Sequence, residues 1–200
     1  MSVPRHRRFL LGACALAVSA VGQEAPFIPA GEIGAEWSYN NLETSNAGNG
    51  AWSNENGGSL YGQYFLGKAR RVWHGQNRFG IAARFDGTGS QSGSLYTGMA
   101  GPRFGIEWRK SHLLWFGEYL IGDAQVRVDG MAQTVSSFSR NSFIWGEGSG
   151  LQLILSRRFT VTLVHLDALS LEAPDAVTGR SHWQGDLRFS AGIGDRFERK

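Results

Sequence analysis

Ala100-Gly101-Pro102-Arg103-Phe104-Gly105-Ile106-Glu107-Trp108 puts an apolar side chain at every second position, with Gly101, Arg103, Gly105 and Glu107 in the gaps. A two-residue period is the signature of a strand whose faces differ in chemistry. The same pattern recurs in Ile33, Ala35, Trp37, Tyr39 against Glu32, Gly34, Glu36, Ser38. It appears again in Phe79, Ile81, Ala83, Phe85 against Gly80, Ala82, Arg84, Asp86, and in Leu187, Phe189, Ala191, Ile193 against Asp186, Arg188, Ser190, Gly192. Eight such segments can be marked, near 31–41, 58–68, 78–87, 95–108, 113–125, 142–156, 159–168 and 182–197.

The connections alternate in character. Residues 42–57, 126–141 and 169–181 are long and polar, whereas 109–112 and 157–158 are tight. The 69–77 connection is longer than this alternation wants, and 88–94 is shorter. Long loops at one end and short turns at the other describe an up-and-down barrel with its short turns on the periplasmic side.

Composition agrees with an all-β chain. Glycine fills 28 of 200 positions, about twice its usual ~7% share. Charged residues reach only 18%, against a usual ~25%. Lys68, Lys110 and Lys200 are the only lysines beside 17 arginines, so a water-facing surface is poorly supplied. The net charge of +3 comes from Arg5, Arg7 and Arg8, which precede the apolar run Phe9 to Val18 and the small residues Ala20-Val21-Gly22. This is the pattern of a secretory signal peptide over residues 1–22, with cleavage after Gly22 or, alternatively, after Ala20. The mature chain from Gln23 then has 17 basic and 17 acidic side chains, which removes the main support for nucleic-acid binding. Leu11-Gly12-Ala13-Cys14 can also be read as a lipoprotein box, but only five residues separate Arg8 from Cys14; the plainer reading is a small apolar residue of the leader. Residues 23–30 form a short lead-in, 31–197 the barrel, and 198–200 a tail, with no peptidoglycan-binding domain appended.

A soluble sandwich or barrel also alternates, so the two faces decide. Packing Trp37, Tyr39, Phe79, Phe85, Phe104, Trp108, Trp115, Tyr119 and Trp145 inside eight strands overfills an interior only wide enough for ordinary side chains. Turned outward, these rings and Phe197 meet lipid and its two water boundaries, while small and charged residues fill the lumen. No run of 18 apolar residues follows the leader, so crossing falls to strands of ~9–11 residues. The reading is all-β: an eight-stranded antiparallel transmembrane barrel in the bacterial outer membrane.

Leu95-Tyr96-Thr97-Gly98-Met99-Ala100-Gly101-Pro102-Arg103-Phe104 resembles a segment of small outer-membrane β-barrel proteins of acidobacterial type. Asn141-Ser142-Phe143, Gly148-Ser149-Gly150-Leu151, Leu155-Ser156-Arg157-Arg158-Phe159 and Arg188-Phe189-Ser190-Ala191-Gly192-Ile193 continue the likeness in the same order. The family is the outer-membrane protein β-barrel domain family, related in form to OmpA and OmpX. The resemblance covers about residues 30–197 and is specific in the second half. It implies an eight-stranded barrel and no shared activity, so it supplies no catalytic residue. Two positions depart from it: Asp195 stands where a terminal apolar residue is expected, and Glu147 lies on the lipid face of the sixth segment. Either these lie at a rim or the register slips, and glycines within 146–150 suggest a bulge.

By parity, Arg84, Asp86, Arg103, Glu107, Glu118, Gln152, Asp186, Arg188 and Arg196 point into the lumen. Opposite charges there should pair and plug it, since an unpaired buried charge is costly. A small gated pore is the competing reading, and a ligand site at one mouth the third. Ser181-His182 with Asp186 is the nearest approach to a hydrolase constellation, on the pattern of lipid A-modifying barrels. Yet His182 and Asp186 are roughly 13 Å apart at ~3.3 Å per residue, so a carboxylate partner has to come from a loop, such as Glu172 or Asp175. Ser111-His112 reads as a solvated turn and His165, in a strand with mixed faces, as packing or interface. No metal-ligand spacing appears, and no cofactor is expected.

Lys68, Arg70, Arg71, Arg109, Lys110, Arg157 and Arg158 flank the short turns. They read as solvated turn charge or as contacts to phospholipid head groups. Expected partners are outer-membrane lipid, lipopolysaccharide and the barrel-assembly machinery, with the chain a monomer. The function expected is structural or surface-interaction, through polar outer loops that include Trp52. A small porin comes second and a lipid A-modifying enzyme third.

Overall fold

A computed structural model describes residues 29–198 except 47–48, 73–74, 91–92, 109, 129–137 and 175–180. The signal-peptide and Cys14 readings fall outside these residues. Eight strands follow one another: β1 (Pro29–Asn46), β2 (Asn49–Val72), β3 (Gly75–Ser90), β4 (Gly93–Trp108), β5 (Leu113–Val128), β6 (Phe138–Ile154), β7 (Phe159–Pro174) and β8 (Ser181–Glu198). Each pairs antiparallel with its chain neighbours, and β1 pairs with β8, so the sheet closes as an up-and-down barrel. No helix is long and apolar enough to cross a membrane.

Sequence periodicity turns directly into burial. Along β3, Phe79, Ile81 and Phe85 are exposed, while Arg78, Gly80, Ala82, Arg84 and Asp86 are buried. Phe85 is 65% exposed and its neighbour Arg84 only 2%. Among the largest fully buried side chains are two arginines, Arg84 and Arg188. A water-soluble protein has the opposite distribution. Of the rings expected outside, Trp37, Phe79, Phe85, Phe104, Tyr119 and Phe197 are exposed, and Tyr39, Trp108 and Trp115 are half-buried. Neighbouring rings pair across strands, as in Phe104–Trp115 at 5.4 Å and Tyr119–Trp145 at 5.9 Å between centroids.

Three features differ from the sequence reading. The polar stretch 42–57 is no open loop: its backbone continues the ladder from Leu42↔Ser53 to Asn46↔Asn49. Strands that project beyond an apolar layer stand in water, so alternation fades while backbone pairing persists. For the same reason β2 and β3 run to Val72 and from Gly75, which reduces the 69–77 connection to residues 73–74. Lastly, the lumen is not wholly small and charged. Leu95, Met99, Leu120, Ala124, Ile144, Leu169 and Leu171 point inward and cluster with Ala82 on the β4–β7 wall, towards the long-loop end.

The expected bulge is also in a different strand. In β6 the even residues stay inward from Ile144 to Ile154. The irregularity lies opposite, in β7, where Leu151 pairs Val164 and Gln152 pairs Thr162, leaving Leu163 as the extra residue. Thr160 and Thr162 point inward before it, His165 and Asp167 after it. At Asp195 the register holds: the residue lies at the turn end, where Arg158 grips it through Nε–Oδ1 (3.1 Å) and Nη2–Oδ2 (2.7 Å).

Close approach between strands governs Gly101. A Cβ there would strike the Tyr119 carbonyl and Leu120 Cα, both backbone atoms that cannot rotate away. The next residue, Pro102, has no N–H to give the ladder, and neither Gly101 nor Pro102 has a register partner on β5. Gly101→Val is therefore expected to lower stability by ~1–3 kcal/mol or to block folding outright. Urea unfolding of the refolded barrel, followed by tryptophan fluorescence, measures this.

Candidate functional site

The barrel axis is occupied by charge in stacked layers. Nearest the short-turn end, Arg78 pairs Glu107 at 2.6 Å, and Arg196 reaches the same carboxylate at 3.3 Å. Glu32 accepts from Tyr61 Oη (2.5 Å) and Gln152 Nε2 (3.0 Å), and Arg196 Nε lies 4.0 Å from it. Two acids here face two arginines.

Mid-barrel, Arg84 is the hub. Its guanidinium pairs Asp86 at 2.9 Å, Glu36 at 3.0 Å and Asp167 at 3.4 Å, and donates to Ser59 and Ser190 at 2.9 Å each. Arg188 joins Asp86 (2.7 Å) to Asp167 (3.0 Å). Arg103 holds Glu118 at 3.1 Å while its cationic carbon sits 3.6 Å above the Phe116 ring. These groups come from β1, β2, β3, β4, β5, β7 and β8, so the network staples opposite walls together.

His165 stands at the centre of this layer. Its Nε2 faces Asp167 Oδ1 (2.9 Å) and Glu118 Oε1 (3.2 Å), and Phe116 packs edge-on against the ring. Arg84 Nη1 lies 2.6 Å from Nδ1. The same nitrogen lies 3.2 Å from Glu36 Oε2, so the guanidinium asks it to accept and the carboxylate asks it to donate. Glu118, His165 and Asp167 bring ligand atoms within 4.8 Å of one another, the spacing a metal ion would need.

All eight charged residues expected in the lumen are buried there: Arg84, Asp86, Arg103, Glu107, Glu118, Asp186, Arg188 and Arg196. Seven join ion pairs, and Asp186 does not. The sequence reading left out Glu32, Glu36, Glu55, Arg78, His165 and Asp167. Parity alone would have included Glu32, Glu36 and Arg78, whereas the β7 bulge hid His165 and Asp167.

Glu147 does point outward, with Tyr119 as its cross-strand partner. It edges a groove of about 550 Å³ between Phe104, Trp115, Tyr119, Leu166 and Leu187. Ser149, in the same groove, accepts from Trp115 Nε1 (2.9 Å) and donates to the Phe116 carbonyl (3.1 Å), which leaves it no base. Among the described side chains no histidine reaches it, and Asp186 lies in the lumen rather than at a rim with Ser181 and His182, whose side chains are outside the described set. Of the turn-end cations, Arg70, Lys110, Arg157 and Arg158 are exposed. Lys68, Arg71 and Arg109 fall outside the described side chains, as does Trp52.

No family model and no curated relative matches the chain. Solved structures do. Neisserial surface protein A is similar at TM-score 0.57 with 12% identity, covering 84% of this chain and 97% of its own. Ail, the attachment invasion locus protein of Yersinia pestis, is similar at TM-score 0.52 with 17% identity, covering 85% and 100%. The shared feature is the fold, a small closed eight-strand barrel.

Removing the hub takes an arginine from three buried carboxylates, leaving Asp86 and Asp167 only Arg188 and Glu36 only His165 among the described partners. Arg84→Ala should cost ~3–5 kcal/mol, while Asp195→Asn, which breaks an exposed rim pair, should leave the urea midpoint unchanged within scatter. Parallel unfolding curves in phospholipid vesicles decide between the two.

Proposed function

We propose that this chain is an outer-membrane protein of a Gram-negative cell, with a leader over residues 1–22 and a mature barrel that does not conduct. The observation that carries the reading is the inverted burial: Leu60, Phe85 and Ile193 are outside while Arg84, Arg188 and Glu32 are inside. Hydrocarbon accepts the outer face, and closure satisfies the backbone there. Ail, described as an outer membrane protein, has the same architecture, which supports the location. The Leu95–Phe104 segment supports a narrower place among small barrels of acidobacterial type.

The lumen supports a structural or surface-contact role over transport. Interlocked ion pairs and the apolar β4–β7 patch fill the space that a channel would keep wet. Strands of 16 to 24 residues outrun the ~9–11 needed to cross. Part of the surplus lies at the long-loop end, as the paired stretch 42–53 does, and offers the surface for contact. Lipid, lipopolysaccharide and the assembly machinery are its proposed partners.

Two measurements test this. Unboiled protein should migrate differently from boiled protein on a detergent gel. In planar bilayers the refolded protein should give no steady conductance, and sustained nanosiemens openings would replace the plugged barrel with a porin. A lipid A profile altered by the wild type and restored by His182→Ala would instead make it an enzyme.

A further inference from the structure

Three donor atoms converge in the mid-barrel layer. His165 Nε2 lies 2.9 Å from Asp167 Oδ1 and 3.2 Å from Glu118 Oε1, and the three fall within 4.8 Å of one another. Atoms bound at about 2.0–2.2 Å around a tetrahedral ion stand roughly 3.3 Å apart. The imidazole is 1% exposed, yet Nε2 makes no hydrogen bond to either carboxylate. Both oxygens therefore flank the outward axis of this nitrogen rather than lie on it. A ring proton would point between them, whereas an ion on that axis is within reach of both.

The arginines of this layer hold the far side of the same groups. Arg103 Nη1 takes Glu118 Oε2 (3.1 Å), and Arg188 Nε and Arg84 Nη1 take Asp167 Oδ2 (3.0 and 3.4 Å). Each carboxylate is thus oriented through one oxygen and presents the other to Nε2. At the other ring nitrogen, Glu36 Oε2 lies 3.2 Å from Nδ1. A proton on Nδ1, directed at that carboxylate, leaves Nε2 its lone pair, which is the tautomer in which a histidine binds metal. Arg84 Nη1, 2.6 Å from Nδ1, then yields this contact and keeps Glu36 through Nη2 (3.0 Å) and Asp86 through Nε (2.9 Å). The β6 wall stays clear because Gly148 has no side chain: a Cβ there would strike Asp167 Oδ1 and stand 3.0 Å from Nε2.

We propose that His165 Nε2, Asp167 Oδ1 and Glu118 Oε1 bind a divalent transition-metal ion in the lumen, with Zn²⁺ as the fitting ion. One imidazole and two carboxylates are a donor set that Zn²⁺ accepts, and a water completes the four positions. The ion ties β5 to β7, two strands that do not pair in the sheet. The site stands whether or not the barrel conducts.

The test uses the whole protein, refolded with ZnCl₂ so that the buried site loads as it forms, then desalted and its zinc counted by mass spectrometry. Wild type should retain one Zn²⁺ per barrel, and so should His112→Ala, which removes the imidazole of a short turn. His165→Gln and Glu118→Gln should retain none. Glu36→Gln weakens the hold on Nδ1 and should raise the half-saturating zinc concentration of refolding about 10–100-fold. Wild type refolded with Co²⁺ should show the visible absorption of a four-coordinate ion, which keeps the test open if a lumen variant does not fold. Wild type without retained zinc, full retention by both ligand variants, or a six-coordinate Co²⁺ spectrum overturns the proposal. So does an imidazole found by ¹⁵N NMR to be protonated on both nitrogens in saturating ZnCl₂, which would show a proton where the ion is placed.

Discussion

Pairing of β1 with β8 is the constraint from which the rest of the structure follows. From Gly31↔Phe197 to Leu42↔Asp186 the first and last strands complete one another's hydrogen bonds, and the sheet has no edge left. An edge in hydrocarbon would leave unsatisfied N–H and C=O groups costing several kcal/mol each. Closure also sets the width of the interior. Eight strands enclose a space that side chains fill, so every inward residue must find its partner among the other seven walls.

That confinement explains why the interior charges are arranged as a lattice of shared contacts. Arg84 serves three carboxylates, and Asp86 and Asp167 each serve two arginines. A guanidinium suits this role because its donors spread in a plane and it stays charged. The hydroxyls of Ser59, Thr97 and Ser190 take up directions that no opposite charge covers. Phe116 gives Arg103 a ring face where a further carboxylate would add charge.

Parity made most of the fold readable, because each strand segment carries its own record of inside and outside. Phe85 beside Arg84 and Phe104 beside Arg103 needed no tertiary information. Where water takes over from hydrocarbon the record ends, so Leu42 to Asn54 read as loop although its backbone is paired. The inward Leu120, Ile144 and Leu171 were hidden for another reason: an apolar residue on the inner face looks, in one strand alone, like a flaw in the pattern. Only when β4 to β7 stand side by side do these residues form a cluster. Asp186 reads as one more member of the network, and sequence alone could not show that Arg188, its neighbour on the same face, is engaged with Asp86 and Asp167.

The β7 bulge shows how one extra residue can build the centre of the lumen. Without Leu163 the inward side of β7 would continue with the even residues, and Val164 and Leu166 would replace His165 and Asp167. The shift succeeds because β6 offers no side chains opposite. A Cβ on Gly148 would meet Asp167 Oδ1 and His165 Nε2, and one on Gly150 would meet the Phe116 ring. The glycines that suggested a bulge in β6 thus serve a bulge in its neighbour, as the empty volume into which His165, Asp167 and Phe116 fit. The imidazole then reaches Glu36 across the barrel at 3.2 Å and links β7 to β1, two strands that do not pair in the sheet.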